Sequence, residues 1–321
     1  MFIKKAKTFL LACLLAFALC ALFTAKTFGQ EQEVRYVDKT AEPISDGLTW
    51  ETAYISLTQA LSVANSNPGD WEIRVAQGTY HPKNEFASFR ILNKPGQEAG
   101  DRIVLLGGFA GLQGANPDLR DPKVFTTILT GDTLGDDVDF GNCLSNQDGW
   151  KDQNRLNNSD TVVIVLNCGL GNRIDGFIIE GGNQGQVPFE SKFAHGGGMY
   201  IADSSIDVVN CTFRFNVSGL PENVPVHNGL IGEGGGAYVS GGKLANGDVG
   251  FTRFINCTFH DNVSSRGGAL AILNRSSEVT KVKVINSLFY DNQAIEMSTA
   301  VIKPGDDNDR LVQLPMKRQT P

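Results

Sequence analysis

The 321-residue chain has little basic charge with which to hold a polyanion. It contains 28 lysine and arginine residues against 35 aspartate and glutamate residues. Four of the lysines lie in the first 29 residues, which hold no acidic residue, so the remainder is more acidic than the total suggests. Because nucleic-acid binding draws on clustered lysine and arginine, the composition argues against nucleic acid as a partner.

The sequence also lacks the features of fibrous and disordered chains. It has only 12 prolines and no Gly-X-Y period, which excludes collagen. A hydrophobic content of 41% with 20% charged residues is ordinary for a globular protein. Helical periodicity is nearly absent after residue 70. Glycine is abundant, with 36 copies, and many tight turns are therefore expected.

No apolar run reaches the ~20 residues that a membrane-spanning helix needs. Three lysines precede the longest run, Phe9–Phe23, and Lys26 closes it. A basic start, a short apolar segment and small residues after it are the parts of a secretory signal peptide. We therefore predict a signal peptide over residues 1–29, cleaved after Gly29, and export to the cell surface, the outer membrane or the medium.

Cysteine is scarce in the mature chain. Cys143, Cys168, Cys211 and Cys257 remain after cleavage, and no CxxC or Cys/His spacing suggests zinc. Cys211 and Cys257 occupy one place in a repeat, which is typical of buried core thiols. We predict at most one disulfide, between Cys143 and Cys168.

Two short motifs alternate along the second half of the chain. The first motif is eight residues long: an apolar residue, Asn, a small residue, any residue, Phe, any two residues and Asn. The second motif is a glycine doublet or triplet followed by apolar residues. Copies of the first are Val209–Asn216, Ile255–Asn262 and Ile285–Asn292, with a weaker copy at Asp175–Gly182. Copies of the second are Gly196–Ile201, Gly234–Val239 and Gly267–Leu270.

The first motif reads as a strand that turns a corner. Cys211 and Phe213 alternate with polar residues, as in a strand, while Val208 and Val209 are adjacent apolar residues just before Asn210. The alternation of apolar and polar residues is thus shifted by one residue at Asn210. Such a shift indicates a bend in the strand there, because asparagine tolerates left-handed backbone angles. Stacked copies would align Asn210, Asn256 and Asn286 as a hydrogen-bonded ladder. Glycine pairs supply another corner, and the sequence predicts an all-β parallel solenoid.

The motifs also carry a family resemblance. FxxN (Phe213 to Asn216, Phe259 to Asn262, Phe289 to Asn292) alternating with GGA-type turns resembles the repeats of the polymorphic outer membrane proteins. The likeness spans roughly residues 34–295 and implies a right-handed parallel β-helix of the pectin-lyase-like fold. Segments similar to the opening of secreted bacterial β-helix proteins are Arg35–Asp38, Asp46–Tyr54, Ile73–Pro82, Leu105–Gly111, Arg120–Pro122 and Ile128–Asp132.

The predicted organisation has three parts after the signal peptide. Residues 30–80 form an amino-terminal cap and first coil, in which Leu57, Ala60, Leu61 and Ala64 have the spacing of an amphipathic helix that covers the end of the core. Residues 81–295 form the β-helix. Residues 296–321 are predicted as an irregular tail.

One acidic loop is a candidate metal site. Asp132, Asp136, Asp137 and Asp139 lie in a glycine-containing segment, and closely spaced oxygen ligands suit Ca²⁺. The EF-hand pattern is absent, and an ordinary solvated acidic loop is the alternative. Asp306, Asp307 and Asp309 form a weaker second cluster.

We predict no catalytic set. Enzymes of the resembled fold use calcium-binding carboxylates with a basic residue, or paired carboxylates beside Gly-His-Gly and Arg-x-Lys. Here His195 follows alanine, and Lys281 and Lys283 lack the matching aspartates. His195 is read as a turn residue, and His260 and Asp261 as surface residues at variable positions of FxxN.

The predicted function is therefore a non-enzymatic, adhesin-like surface scaffold that presents loops such as Gly219–Gly232 and Gly241–Gly250 to an extracellular carbohydrate or a cell-surface protein. The alternative is a carbohydrate-active enzyme, a polysaccharide lyase or hydrolase.

The sequence also holds glycosylation sequons, which we read as corner asparagines rather than glycan sites where they fall in the repeat. They are Asn157, Asn210, Asn216, Asn256, Asn262 and Asn274.

Overall fold

The computed structural model describes residues 32–43, 45–92, 101–137, 153–184, 195–219, 232–242, 244, 247–273, 280–297 and 300–303. The predicted signal peptide and most of the loop Gly219–Gly232 lie outside these residues. So do Asp139, Cys143, Asn274, Asp306, Asp307 and Asp309.

Strand is the predominant regular structure of the described residues, which contain one α-helix. In chain order the elements are β1 (Glu33–Val37), α1 (Leu57–Ser66), β2 (Asp70–Ala76), β3 (Gly78–Tyr80), β4 (Phe89–Leu92), β5 (Arg102–Phe109), β6 (Thr127–Thr130), β7 (Val163–Leu166), β8 (Asn172–Asp175), β9 (Ile178–Glu180), β10 (Met199–Ala202), β11 (Ile206–Val209), β12 (Thr212–Arg214), β13 (Val217–Ser218), β14 (Ala237–Ser240), β15 (Phe251–Ile255), β16 (Thr258–His260), β17 (Val263–Arg266), β18 (Leu270–Leu273), β19 (Lys281–Ile285), β20 (Leu288–Tyr290), β21 (Gln293–Met297) and β22 (Ala300–Lys303). Short 3-10 turns lie at Gly111–Gln113 and Gln153–Asn157.

The strands form four sheets, and each strand pairs in parallel with the corresponding strand of the pass before it. The first sheet has the order β1-β2-β5-β8-β11-β15-β19, the second β4-β7-β10-β14-β18-β22, and the third β3-β6-β9-β12-β16-β20. A fourth, narrower sheet contains β13-β17-β21. From β2 onward the chain visits the first, third and second sheets in that order and then begins again. This arrangement confirms the predicted parallel β architecture and is compatible with a solenoid.

The core between the sheets is built from aligned apolar residues. Phe213, Phe259 and Phe289 occupy one register position of the third sheet, and their rings stack at centroid distances of 4.5 and 4.8 Å. These distances match the spacing of neighbouring strands, so each pass adds one ring to the stack. Phe213 and Phe259 are fully buried, and each contributes on the order of 2–3 kcal/mol through removal from water.

The predicted asparagine corner is present in all three strong copies of the motif. Asn210, Asn256 and Asn286 have φ angles of 50°, 54° and 46°. The Asn256 amide donates to Asn210 Oδ1 at 3.3 Å, and the Asn286 amide donates to Asn256 Oδ1 at 2.7 Å. In the weaker copy Gly176 takes this place with φ 83°, which glycine adopts without strain. The outer ladder is therefore confirmed.

A second ladder lies inside the protein at the end of FxxN. Asn216, Asn262 and Asn292 are at most 5% exposed. Asn216 donates to Asn262 Oδ1 at 3.0 Å, and Asn262 donates to Asn292 Oδ1 at 2.8 Å. The preceding residues, Phe215, Asp261 and Asp291, carry the positive φ angles of this corner. The buried amides thus satisfy one another where the chain bends.

Glycine forms the remaining corner because it adopts positive φ angles without strain and allows a close approach of neighbouring backbone. Gly196, Gly234 and Gly267, each the first glycine of its run, have φ angles of 73°, 70° and 62°. The second glycines face neighbouring backbone: a Cβ on Gly235 would lie 2.5 Å from the carbonyl oxygens of Val263 and Gly268. A side chain would collide there, so this corner admits only glycine.

Helix α1 closes the amino-terminal end of the core as expected. Leu57, Ala60, Leu61 and Ala64 are all at most 2% exposed and belong to the main hydrophobic cluster. The helix packs against β1, β2 and β4, and β1 and β4 are the first strands of their sheets. Burial of this face explains a helix in an otherwise β-rich chain.

The cysteines of the described residues lie in the core. Cys168, Cys211 and Cys257 are buried, and Cys211 and Cys257 are free thiols. Cys168 Sγ lies 3.4 Å from the carbonyl oxygen of Ile91. Cys143 lies outside the described residues, so the bridge between Cys168 and Cys143 stays a prediction. Burial raises the pKa of both Cys211 and Cys257, the latter to about 11, which keeps them as unreactive thiols.

Strand pairing continues into the segment predicted as an irregular tail. Strand β22 pairs with β18 as far as Lys303. Several apolar side chains of the last described pass are exposed, among them Val284, Ile285 and Leu288.

Among the described helices, none has the length and apolar character to cross a bilayer.

Candidate functional site

The predicted acidic loop follows β6 and is shaped by one aspartate. Asp132, which is 9% exposed, accepts backbone hydrogen bonds from Gly135 at 2.7 Å, Asp136 at 3.3 Å and Asp137 at 3.1 Å. These bonds fold the loop back on itself, with Gly135 at φ 70°. One carboxylate oxygen from each of Asp132, Asp136 and Asp137 lies within 4.8 Å of the others. The structure therefore brings three of the four predicted ligands together.

A second segment, just before β7, packs against this loop. The Asn157 amide lies 3.2 Å from both carboxylate oxygens of Asp136, and the Asn158 amide donates to Asp137 Oδ2 at 2.7 Å. Asn158 also donates to the carbonyl oxygen of Gly181 at 2.8 Å, which fixes the orientation of its side chain. The cluster is thus shared between two segments separated along the sequence.

Several oxygens of this cluster are buried without a donor among the described residues. They are Asp137 Oδ1, Asn157 Oδ1 and Asn158 Oδ1. Asn158 is only 2% exposed. A buried acceptor without a partner is costly, by roughly 1–3 kcal/mol, because it has given up its water. The two amide oxygens and the three carboxylates together form a cluster that is rich in acceptor oxygens.

The three carboxylates of the cluster repel one another. Burial raises the pKa of Asp137 to about 6, and Asp132 and Asp136 raise it as well, while Arg155 and the Asn158 hydrogen bond lower it. With a pKa of about 6, Asp137 is partly protonated in mildly acidic solution and approaches its full charge only well above that pH. Three carboxylates against the single guanidinium of Arg155 leave a formal excess of two negative charges.

The third sheet carries a second group of polar side chains, here termed the polar column. It consists of Glu180, Arg214, His260 and Tyr290, which occupy one register position on four successive strands. Arg214 Nε lies 2.6 Å from Glu180 Oε2, and the rings of His260 and Tyr290 stack at 4.9 Å. The side chains alternate with the buried phenylalanines and so lie on the outer face.

One hydrogen bond in this region has the form of an acid–base pair. His260 Nδ1 lies 2.6 Å from Asp261 Oδ2. Partial burial, followed by the carboxylates of Asp261 and Asp291, raises the pKa of Tyr290, so its phenol stays neutral at neutral pH. The histidine therefore has a carboxylate that orients it, whereas the tyrosine is not poised to act as a base.

His195 is held by packing. Its ring stacks on buried Tyr238 at a centroid distance of 4.4 Å, and Tyr238 in turn stacks on Tyr200 at 5.4 Å. The residue pairs as an isolated bridge with Glu233. These contacts support a structural role at the start of the glycine corner rather than a free turn residue.

The sequon asparagines divide by exposure. Asn216 and Asn262 are 0% exposed and belong to the inner ladder, so neither can carry a glycan in the folded protein. Asn210 and Asn256 are exposed but bonded within the outer ladder. The reading of these asparagines as corner residues is supported.

Sequence reasoning missed the contact of two asparagines with the acidic loop. Asn157 and Asn158 lie about twenty positions from the aspartates they contact, and no local spacing links the two segments. For the polar column, alignment of the repeats identified Arg214, His260 and Tyr290 as equivalent, variable surface positions of FxxN, but it missed the ion pair between Arg214 and Glu180. No protein-family model and no curated protein sequence matches the chain.

Proposed function

We propose that the chain is an exported right-handed parallel β-helix, similar to the polymorphic outer membrane proteins of the pectin-lyase-like superfamily, that acts as a non-enzymatic surface scaffold. The observation that carries the proposal is the contrast between the two faces of the third sheet. Its inner position repeats as Phe213, Phe259 and Phe289, whereas its outer position changes from Arg214 to His260 to Tyr290.

This contrast favours a scaffold for a physical reason. The inner residues must be alike because each ring rests on the next, so they are set by packing. The outer residues are released from that constraint and present a different group at every pass. A long surface with varied side chains suits recognition of an extended carbohydrate or of a protein on another cell.

The parallel pairing supports a right-handed path. Connections between parallel strands of one sheet are right-handed in about 98% of cases, because the strands themselves twist to the right. The repeated passes through the same sheets supply many such connections. The glycine and asparagine corners are the second support, since each recurs at a fixed place in the pass.

Export can be tested in a bacterial host with a carboxy-terminally tagged chain. We expect an extracytoplasmic product whose mass corresponds to cleavage after Gly29. Leu14→Arg, which places a charge in the apolar run, should hold the protein inside the cell uncleaved, while Leu14→Ile should leave export unchanged. Cytoplasmic, full-length protein from the natural sequence would contradict the proposal.

A carbohydrate-active enzyme is the second candidate, and the polar column favours it. The His260–Asp261 pair could remove a proton from a bound sugar, and Arg214 lies on the adjacent strand. Against this, Arg214 is already paired with Glu180. The scaffold therefore remains the better-supported function.

The two functions separate in one assay. The mature chain is incubated with a panel of uronate polymers, and both ultraviolet absorbance from unsaturated ends and new reducing ends are followed. The scaffold predicts no product above the buffer control. Product formation that is lost in His260→Gln and kept in Lys281→Gln, a change on an exposed residue of the first sheet, would establish the enzyme instead.

A further inference from the structure

The acidic loop and the asparagine segment together have the chemistry of a cation site. The oxygens of Asp132, Asp136 and Asp137 lie within 4.8 Å of one another, which is close enough for one ion to contact all three. Carboxylate and amide oxygens are the ligands that Ca²⁺ takes, six to eight at a time and with water completing the shell.

A second observation, independent of the acidic residues, also indicates a ligand. The Asn158 side chain is 2% exposed, and its Oδ1 has no donor among the described residues. The amide nitrogen of the same group lies 2.7 Å from Asp137 Oδ2, so this buried side chain is in contact with the cluster. Asp137 Oδ1 is a second buried oxygen without a donor among the described residues, and a bound cation would supply the partner that these oxygens lack.

The local charge agrees with a divalent ion. Three carboxylates face one guanidinium, that of Arg155, which leaves two negative charges to be balanced. Arg155 is itself held elsewhere, because it donates to the carbonyl oxygen of Phe215 at 2.7 Å. Its position is therefore determined in part by the inner corner that follows β12, two passes further along the chain.

We infer that Asp132, Asp136, Asp137 and Asn158 bind one Ca²⁺ ion, which fastens the loop after β6 to the segment before β7. The ion would join two segments of the same pass, one at each end of the connection from β6 to β7. This site is independent of whether the protein is a scaffold or an enzyme, since neither the polar column nor its strands contribute a ligand.

Calcium binding is tested on the mature chain by thermal melting and isothermal titration calorimetry in 5 mM CaCl₂, 5 mM MgCl₂ or chelator. We expect Ca²⁺ to raise the melting temperature by about 5 °C, Mg²⁺ to raise it much less, and titration to give one site per chain. Asp137→Asn and Asp136→Asn should each weaken binding at least tenfold. Asp291→Asn, at an exposed corner that asparagine also adopts, should leave it unchanged.

A further readout separates metal binding from simple packing. In chelator, Asp137→Asn should melt at or above the natural protein, because the variant removes a charge that burial disfavours. A residue that only packs would lower the melting temperature in both conditions. Absence of any calcium-dependent shift or heat would overturn the inference, and so would a shift that persists in both aspartate variants.

Discussion

At the scale of the residue, asparagine occupies two kinds of corner in this chain, and the two have opposite exposure. Asn256 is exposed and carries the positive φ itself, while Asn262 is fully buried and follows the residue that does. Both were recognisable from sequence as repeated positions. Only the outer ladder could be deduced in detail, because the inner one depends on how far the FxxN corner turns into the core.

Removal of the buried amide should be the more damaging change. Asn262→Ala would remove the hydrogen bonds that the Asn262 side chain makes with the Asn216 side chain, the Asn292 side chain and the Phe213 carbonyl oxygen. We expect a loss of about 3 kcal/mol in the free energy of unfolding, measured by urea denaturation. Asn256→Gly, which removes an exposed amide and keeps the positive φ accessible, should lose less than about 1 kcal/mol. Equal losses in the two variants would mean that the inner ladder stabilises the fold no more than the outer ladder does.

We expect the stability of the protein to depend on pH because of one partly buried aspartate, Asp160. Burial, with Glu85 as a second cause, raises the pKa of Asp160 to about 6. A raised pKa in the folded state means that this group's contribution is fully present below about pH 4 and is lost as the pH rises through about 6.

Asp160→Asn should therefore stabilise the protein at pH 8 and not at pH 4. Because the group is partly exposed, we expect a gain of only about 1 kcal/mol in the free energy of unfolding at pH 8. Denaturant titrations at the two pH values measure it, with the exposed Glu51→Gln as the control. A gain of the same size at both pH values would show that charge is not the cause.

At the scale of the element, α1 and the glycine corners were predictable because each depends on local pattern. The spacing of Leu57, Ala60, Leu61 and Ala64 needs no knowledge of the partner that buries them. The fourth sheet was not foreseen. Strand β13 has only two residues, and its pairing with β17 depends on the inner corner that precedes both.

The role of α1 as a cover is tested by its buried face. Leu61→Ala should lower the free energy of unfolding by about 2–4 kcal/mol, because it opens a cavity in the end of the main core. Ser62→Ala, on the exposed side of the same turn, should change it by less than about 0.5 kcal/mol. Calorimetry of both variants measures the difference, and similar melting temperatures would show that the helix does not seal the core.

The glycine corner is tested by a pair of alanine substitutions. Gly235→Ala would place a methyl group 2.5 Å from two backbone carbonyl oxygens, so the neighbouring passes would have to separate. We expect a loss of more than about 3 kcal/mol or failure to fold. Gly135→Ala meets no atom within 4 Å and should cost only about 1 kcal/mol through its positive φ. If Gly235→Ala were the milder of the two, close approach would not be the reason for the doublet.

At the scale of the whole molecule, the repeated motifs predicted the stacking of passes, since a motif that recurs with the same inner residues can bury them only against its own copies. The acidic site could be predicted only in part. Asp132, Asp136 and Asp137 share one loop and were visible as a group, whereas Asn158 lies 21 residues after Asp137, in the segment before β7 of the same pass. The motifs do not determine contacts between segments this far apart along the chain.

The central proposal is that successive passes lie one upon another along a single right-handed path. A crystal structure of the mature chain at side-chain resolution tests it most directly. The account predicts that the Asn256 amide lies within hydrogen-bonding distance of both Asn210 and Asn286, with Phe213, Phe259 and Phe289 stacked behind them and every crossover right-handed. Asparagines on separate sheets, antiparallel neighbours or a left-handed path would contradict it.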